Sequence, residues 1–582
     1  MPSNLPCLCR LLRFRTSVTS CGHRLRSPLG HSPWRHEHHY YCRPGGALFN
    51  VAASVQDDPT AHACCVYSTR ARTQEQLKHA PDFGNFRDSY RDTTTSELFR
   101  AYVIFSFCSS DFLVSKIVKI LGWTRRVLGR VLYRAVMKPT IYGQFLAGDN
   151  DRDILGVAER NLSRGVNAMM AYIASEVHGA GGAGTTLSCR RRVKDVYQTN
   201  FDAVRHSIDL AAEVAAKSGT SQRQWAAAKV TFIAEPEVLR HMTDLINTNT
   251  SILGAAYRQT STEPTKRDSL VELLNDILHQ AEKTNGFVSP PAIRHLEELD
   301  DSLTTNIAFH LTCKKSRELA QFTQGEASAS TLSDTEETHL NQVWKRMCVL
   351  AEHAESRGVV FAWDAEQIYL QPAIDLLLLD LMRKYSRQHA AIFHTYQCYL
   401  KSTHEKVVRD LKLSRKEDFC LAAKLVRGAY LIEERKRAVS LRYEDPTNPT
   451  YESTTTMYHR VADEFLRHIQ TRPGRVEVVI ATHNEATVGH VLRQISNRGL
   501  DTSNAISFAQ LHGMRDYITM PLGYAGYPVY KLLNYGPVEE CVAFLSRRAQ
   551  ENSSAIATAN EERKLIGREL RRRFTSLFAA RA

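Results

Sequence analysis

No stretch of this 582-residue chain supplies the roughly 18 consecutive apolar residues that a bilayer-spanning helix requires. The apolar stretch beginning near Ala101 is broken by Asp111. No C-x-x-C pair and no His/Cys zinc spacing occurs. Six of the 13 cysteines fall before residue 66, and Cys108, Cys189, Cys313, Cys348, Cys398, Cys420 and Cys541 are scattered singly. This usage points to a reduced compartment and no structural metal. No internal repeat is visible. At 43% hydrophobic residues the chain can bury a large core, which excludes a fibrous or disordered class.

Acidic residues are missing from Met1 to His36, where Arg10, Arg13, Arg15, Arg24, Arg26 and Arg35 alternate with Leu, Ser and Phe. Residues 1–36 therefore read as a cleaved mitochondrial transit peptide. Much of the formal charge of +13 lies near this end, so it does not describe a nucleic-acid-binding face. Acid is missing again from Phe112 to Gly148, which carries Lys116, Lys119, Arg125, Arg126, Arg130, Arg134 and Lys138. Ile117, Ile120, Leu121, Leu128, Val131, Leu132 and Ala135 recur there at helical spacing. A basic amphipathic helix results, suited to an anionic membrane surface or to packing on the body with its basic face in water.

Residues 37–90 lack periodicity and read as a linker arm, followed by a helical arm at 91–215. Gly179, Gly181 and Gly184 spell G-x-G-x-x-G, but the segment follows a helix-patterned Asn167 to Val177 and precedes Arg190, Arg191 and Arg192. A dinucleotide fingerprint follows a strand and opens a helix, so a flexible loop is expected. From residue 216 onward strand-like runs alternate with helical ones, the pattern of a parallel α/β fold. The runs are Trp225 to Ile233, Val359 to Ala365, Ala391 to Gln397, Phe419 to Arg427, Val476 to Thr482, Ala505 to Leu511 and Val529 to Leu533. An insertion at about 235–345, rich in Ser, Thr, Glu and Lys, separates the first two.

Several of these runs end in charge. Alternation places Lys229 with Ala227, Asp364 with Val360 and Ala362, and Lys424 with Cys420 and Ala422. Three ionisable groups at one end of a parallel barrel are compatible with a mouth for an anion, or with a Lys-Asp pair that closes the barrel. Near the C-terminus, Arg547 and Arg548 precede Glu551 by four and three residues. Surface ion pairs and a bidentate carboxylate clamp are both compatible with that spacing.

Four blocks in order, Lys424-Leu-Val-Arg-Gly-Ala-Tyr430, Ala481-Thr-His-Asn-Glu485, Pro521 to Lys531 and Leu545 to Asn552, resemble the proline dehydrogenase family. Tyr443 to Tyr451 resembles its animal mitochondrial members. The resemblance runs from about Phe83 to the C-terminus. It implies a distorted (β/α)8 TIM-type barrel with an N-terminal helical arm and a helical insertion after the first strand. It also implies oxidation of L-proline to 1-pyrroline-5-carboxylate with hydride transfer to FAD, electrons passing to ubiquinone at the matrix side of the inner mitochondrial membrane.

On the matching positions, the resemblance implies that Lys229, Arg547 and Arg548 hold the proline carboxylate and that Asp364 orients them. Tyr430, Leu511 and Leu532 would pack against the substrate ring. Lys424, Arg427, Gly428, Ala429, His483, Asn484 and Glu551 would contact FAD, Gly428 by permitting close approach. His394 stands where the family's flavin contact on the third strand is usually Gln or Asn. Leu532 stands where proline-specific members carry Tyr and hydroxyproline-preferring relatives carry Ser. A hydroxyproline dehydrogenase and a catalytically silent flavin- or proline-binding scaffold are the alternatives.

Overall fold

The computed structural model describes residues 81–174, 187–218, 222–260, 266, 268–276, 332–502, 505–551 and 554–579. The expected transit peptide, most of the linker arm, Gly179, Gly181 and Gly184, and much of the insertion lie outside them.

Eight parallel strands close on themselves in sequential order, with β8 hydrogen-bonded back to β1. They are β1 (Asn167–Tyr172), β2 (Trp225–Lys229), β3 (Val360–Asp364), β4 (Ile392–Gln397), β5 (Leu421–Val426), β6 (Val476–Ala481), β7 (Ile506–Leu511) and β8 (Val529–Tyr535). Closure leaves no strand edge exposed. The expected TIM-type barrel is therefore present.

Its first strand corrects the sequence reading. Asn167–Tyr172 forms a strand although Asn167 to Val177 reads as helix, and a boundary at residue 216 consequently cuts the barrel. Ala168, Met169, Met170 and Ala171 are good helix formers with no β-branched residue among them. Pairing with Trp225–Ala227 on one side and Tyr530–Tyr535 on the other overrides that preference. The insertion accordingly follows the second barrel strand. Gly179 and its neighbours follow a strand after all, but one in a closed barrel, where a doubly wound sheet has no place.

Alternation along each strand sorts the core into two layers. Trp225, Ala227, Val360, Ala362, Phe393, Ala422 and Tyr530 fill the barrel, large rings being offset by alanines. Trp225 packs 4.2 Å from Phe393 and 5.4 Å from Tyr530, centroid to centroid. The opposite faces, such as Phe361, Trp363, Leu421, Leu425 and Ile480, meet the outer helices. At the N-terminal end Arg223 pairs with Glu477 and donates to the Ala390 carbonyl at 2.8 Å, and the Tyr530 hydroxyl donates to the Arg223 carbonyl at 2.9 Å. This floor is sealed by aromatic rings and one ion pair.

Ahead of the barrel come α1 (Phe86–Ser89), α2 (Thr95–Cys108), α3 (Asp111–Met137) and α4 (Asp151–Ser163). The outer layer follows as α5 (Leu187–Ser218), α6 (Pro236–Thr260), α7 (Asp334–Ser356), α8 (Gln371–Tyr385), α9 (Thr403–Lys416), α10 (Leu431–Leu441), α11 (Tyr451–Thr471), α12 (Glu485–Arg498), α13 (Asp516–Tyr524) and α14 (Val538–Glu551). A last helix, α15 (Ser554–Ala579), packs back onto α2.

The basic helix α3 is not one regular stripe. Gly129 sits at φ +66°, which breaks the helical path and shifts the phase beyond it. Leu121 and Leu128 pack with Val538 and Val542 of α14, but Val131 and Leu132, expected on the same apolar stripe, are 85% and 51% exposed. Among the described residues no helix is long and apolar enough to cross a membrane.

Candidate active site at the barrel mouth

Lys229 and Asp364 are register partners at the last positions of β2 and β3, and Lys424 faces the lumen from β5. Each obeys the alternation read from the sequence. Lys424 Nζ forms an ion pair with Asp364 Oδ1, while Lys229 Nζ donates to the Tyr430 hydroxyl at 2.9 Å. Lys424 is buried, whereas the Asp364 side chain keeps 30% of its exposure and so faces the opening. Two cations and one carboxylate converge there, with Tyr430 beside them.

Just beyond this group, past the strand ends, lies a carboxylate that sequence reasoning passed over. Glu366 is buried, accepts from the Thr231 amide at 3.0 Å and from Thr231 Oγ1 at 2.7 Å. Burial pushes its pKa up, and the nearby Lys229 ammonium works against that rise. The signal available was its place two residues beyond Asp364, where the chain leaves the strand. The strand beginning at Trp225 also ends earlier than expected, at Lys229, and a 3-10 turn at Val230–Phe232 carries Thr231 to this carboxylate.

His394 is placed elsewhere than expected. In β4, Phe393 points into the barrel, so His394 points out. Its ring stacks on Tyr396 at 4.6 Å, and Nε2 lies 2.8 Å from Asp375 of α8. Burial would raise the Asp375 pKa, but the Lys406 ammonium and His394 outweigh it and hold the carboxyl well below its usual range. His394 thus belongs to the strand-helix layer and not to the mouth. Thr395 and Gln397 share the inward face with Phe393. Gln397, which donates to the Glu366 carbonyl at 2.8 Å, is the amide at the strand end. Counting the alternation from Phe393 would have found it.

Gly428 has a packing role within the protein. It lies at φ +124°, and a Cβ there would sit 1.5 Å from Tyr399 Cδ1, so the close approach it permits is that of the tyrosine ring. Arg427 stacks over Tyr451 at 3.8 Å and donates to Thr455 Oγ1 at 2.9 Å and the Tyr451 carbonyl at 2.8 Å. Ala429 follows in the same loop ahead of Tyr430.

Asn484 caps α12 by accepting from the Thr487 amide at 2.9 Å, and its Nδ2 donates to the Tyr451 hydroxyl at 2.9 Å. His483 Nε2 accepts the Leu511 amide at 3.1 Å, which places the ring proton on Nδ1. Burial, reinforced by Lys531 and Arg515, lowers its pKa to about 3, so His483 is a neutral donor at physiological pH.

The apolar wall is made by Leu511 and Leu532, register partners on β7 and β8, with Met169 of β1 paired on the far side of Leu532. Tyr535 does not reach this wall. Its hydroxyl lies 2.7 Å from Ser207 Oγ in the outer layer. Arg547, Arg548 and Glu551 belong to α14, and their side chains lie outside the described residues.

The sequence profile of the family described as proline dehydrogenase matches residues 193–561, more than half the chain. Proline dehydrogenase 1, mitochondrial, of Homo sapiens is 33% identical over 584 residues, covering 91% of this chain and 96% of its own. Hydroxyproline dehydrogenase of Xenopus laevis is 30% identical, covering 88% and 94%. Proline utilization A from Bdellovibrio bacteriovorus overlays with a TM-score of 0.48 at 13% identity over 82% of this chain, which spans 40% of that protein. With the profile covering the barrel from α5 to α15 and two relatives matching nearly end to end, this chain belongs to the proline dehydrogenase family of oxidoreductases.

Proposed function

We propose that the enzyme oxidises L-proline to 1-pyrroline-5-carboxylate in the mitochondrion, with FAD as its bound acceptor and ubiquinone as the final one. The observation that carries this reading is the convergence of Lys229, Lys424 and Asp364 at one open end of a barrel whose other end is sealed. Cations held at a mouth with an apolar wall match a small ring bearing a carboxylate.

In this reading Lys229, steadied by the Tyr430 hydroxyl, receives the substrate carboxylate together with Arg547 and Arg548. Asp364 keeps the cations apart and fixes their aim. Leu511 and Leu532 press on the ring and exclude water from it. The reacting ring nitrogen is the neutral amine. As C5 gives up a hydride, the nitrogen lone pair forms the C=N bond, so the substrate loses two electrons and leaves as the iminium. No protein nucleophile is needed.

The residues present fit FAD by their chemistry. Lys424 is a buried cation suited to an electron-rich ring, and His483, Asn484 and Arg427 offer donors around the same rim. Bound there, FAD supplies the two-electron acceptor that side chains lack. Contact with the inner membrane is assigned to α3. Phe112, Trp123, Val127 and Val131 are all at least 60% exposed on the helix that carries Lys116, Lys119, Arg125, Arg126 and Arg130.

Purified protein is expected to be yellow, to bleach on adding proline anaerobically, and to reduce a quinone. A colourless protein that FAD cannot reconstitute overturns the reading. Flavin that binds but is not bleached by proline favours the silent scaffold.

A further inference from the structure

Helix α13 begins without a cap of its own. Its N-cap residue, Arg515, lies in the left-handed region at φ +57° and makes no side-chain capping bond. The first amides of a helix need acceptors, and these two are supplied from the far end of the chain. Glu562 of α15 accepts the Arg515 amide at 2.8 Å through Oε2 and the Asp516 amide at 3.2 Å through Oε1. Glu561 beside it accepts from Arg515 Nη1 at 2.8 Å. Two adjacent carboxylates of one helix thus grip the backbone and the side chain of a single loop residue.

The gripped loop, residues 512–515, joins β7 to α13 directly behind Leu511. It is braced at every step. Gln144 Nε2 donates to the Gly513 carbonyl at 3.0 Å, and the His512 amide donates to the Leu532 carbonyl at 3.1 Å. Buried Lys531 donates to the carbonyls of Leu511 (3.2 Å) and Met514, and pairs with Asp516 at 2.8 Å. Glu562 is 1% exposed, among Asp516, Arg515, Lys531 and Tyr90. Burial and the neighbouring Asp516 push its pKa up, a cost that an apolar residue at this place on α15 would avoid.

We propose that Glu562 is a positioning residue for the substrate pocket. By capping α13 from another helix it sets the turn that holds Leu511, and through Asp516 and Lys531 it reaches the strand that carries Leu532. This rests on the reading of Leu511 as a wall of that pocket. Helix α15 then does more than cover the barrel. Further along α15, Arg573 donates to the carbonyls of Tyr90 at 2.8 Å and Thr93 at 2.7 Å, which ties the helix to the N-terminal arm.

The test uses the full-length, flavin-loaded enzyme with proline varied. Glu562→Ala is expected to raise KM on the order of tenfold, the size of a missing helix cap carried into the pocket, with kcat within about threefold and flavin content unchanged. Glu562→Gln offers one acceptor for two amides and is expected to recover part of that loss. Arg573→Ala is expected to lower the melting temperature without changing KM. Should the alanine variant fail to fold, the glutamine variant decides. An unchanged KM in a folded Glu562→Gln enzyme overturns the proposal, as does a joint fall of kcat and flavin content in Glu562→Ala with KM constant. Leu511→Ala separates the two levels. If it leaves KM unchanged, the pocket reading itself has failed; if it raises KM while the Glu562 variants do not, only the role of Glu562 has.

Discussion

Lys424 on β5 reaches across β4, level with Thr395, to pair with Asp364 on β3, so one ion pair links two strands that are not neighbours in the barrel. Removing the carboxylate takes from Lys424 the ion-pair partner that fixes its aim at the mouth. Asp364→Asn is expected to lower kcat/KM for proline by about ten- to a hundredfold, equivalent to about 1.5–3 kcal/mol for a charge-assisted bond. Because Asp364 is partly exposed, the loss of thermal stability is expected to be smaller than the loss of activity. Steady-state kinetics beside a melting curve checks both; a large stability loss with normal kcat/KM would return this pair to a purely structural role.

For Arg548, the expectation is a steep rise in KM on replacement by Met, with FAD retained. A guanidinium-carboxylate pair in a desolvated pocket contributes about 1.5–3 kcal/mol, or about one to two orders of magnitude in KM. Flavin absorbance after gel filtration reports retention. An unaltered KM makes Arg548 a partner of Glu551 on the helix surface.

Substrate preference follows from Leu532. With Leu511 and Met169 as its register partners, the wall offers no hydroxyl or amide side chain to a 4-hydroxyl group. Burying that hydroxyl without a partner costs about 1–3 kcal/mol, so proline is expected to exceed trans-4-hydroxyproline in kcat/KM by about five- to a hundredfold. Leu532→Ser is expected to narrow the ratio. Comparison of the two imino acids on both proteins settles it, and a wild-type preference for hydroxyproline moves the enzyme to the other branch.

Two histidines behind the same wall make stability depend on pH. Burial first, with the Lys531 ammonium adding to it, lowers His483 to about 3 and His512 to about 4 from 6.5. Both are neutral when folded and protonate readily when unfolded. Their stabilising contribution is therefore complete above pH 6.5 and is lost as pH falls through about 4 for His512 and about 3 for His483. The urea midpoint is expected to fall across that window, and to fall less in His483→Gln and His512→Gln. Equal slopes in wild type and variants would place the acid sensitivity elsewhere.

The barrel was legible because alternation survives in β2, β3 and β5, where apolar residues and one terminal charge share the inner face. In β1 the same information is hidden. Met169 and Met170 sit on opposite faces, and only their neighbours in space decide that they are strand. His394 misled for a related reason. A motif position names a residue type, whereas the face it occupies depends on register, and one residue of offset turns a ligand into a layer residue. Gly428 shows the limit in another form, since the ring of Tyr399 that claims its space lies 29 positions away in sequence. Glu562 was invisible from sequence because a cap supplied by a distant helix leaves no local pattern.

The floor made by Trp225, Phe393, Tyr530 and the Arg223–Glu477 pair turns the barrel into a blind alley. Whatever comes in by the mouth must go out by it. Imino acid and oxidised product then share one doorway and one set of cations, so each excludes the other in time. The product should therefore inhibit competitively with proline, and traffic through that doorway sets a ceiling on turnover that faster chemistry cannot lift.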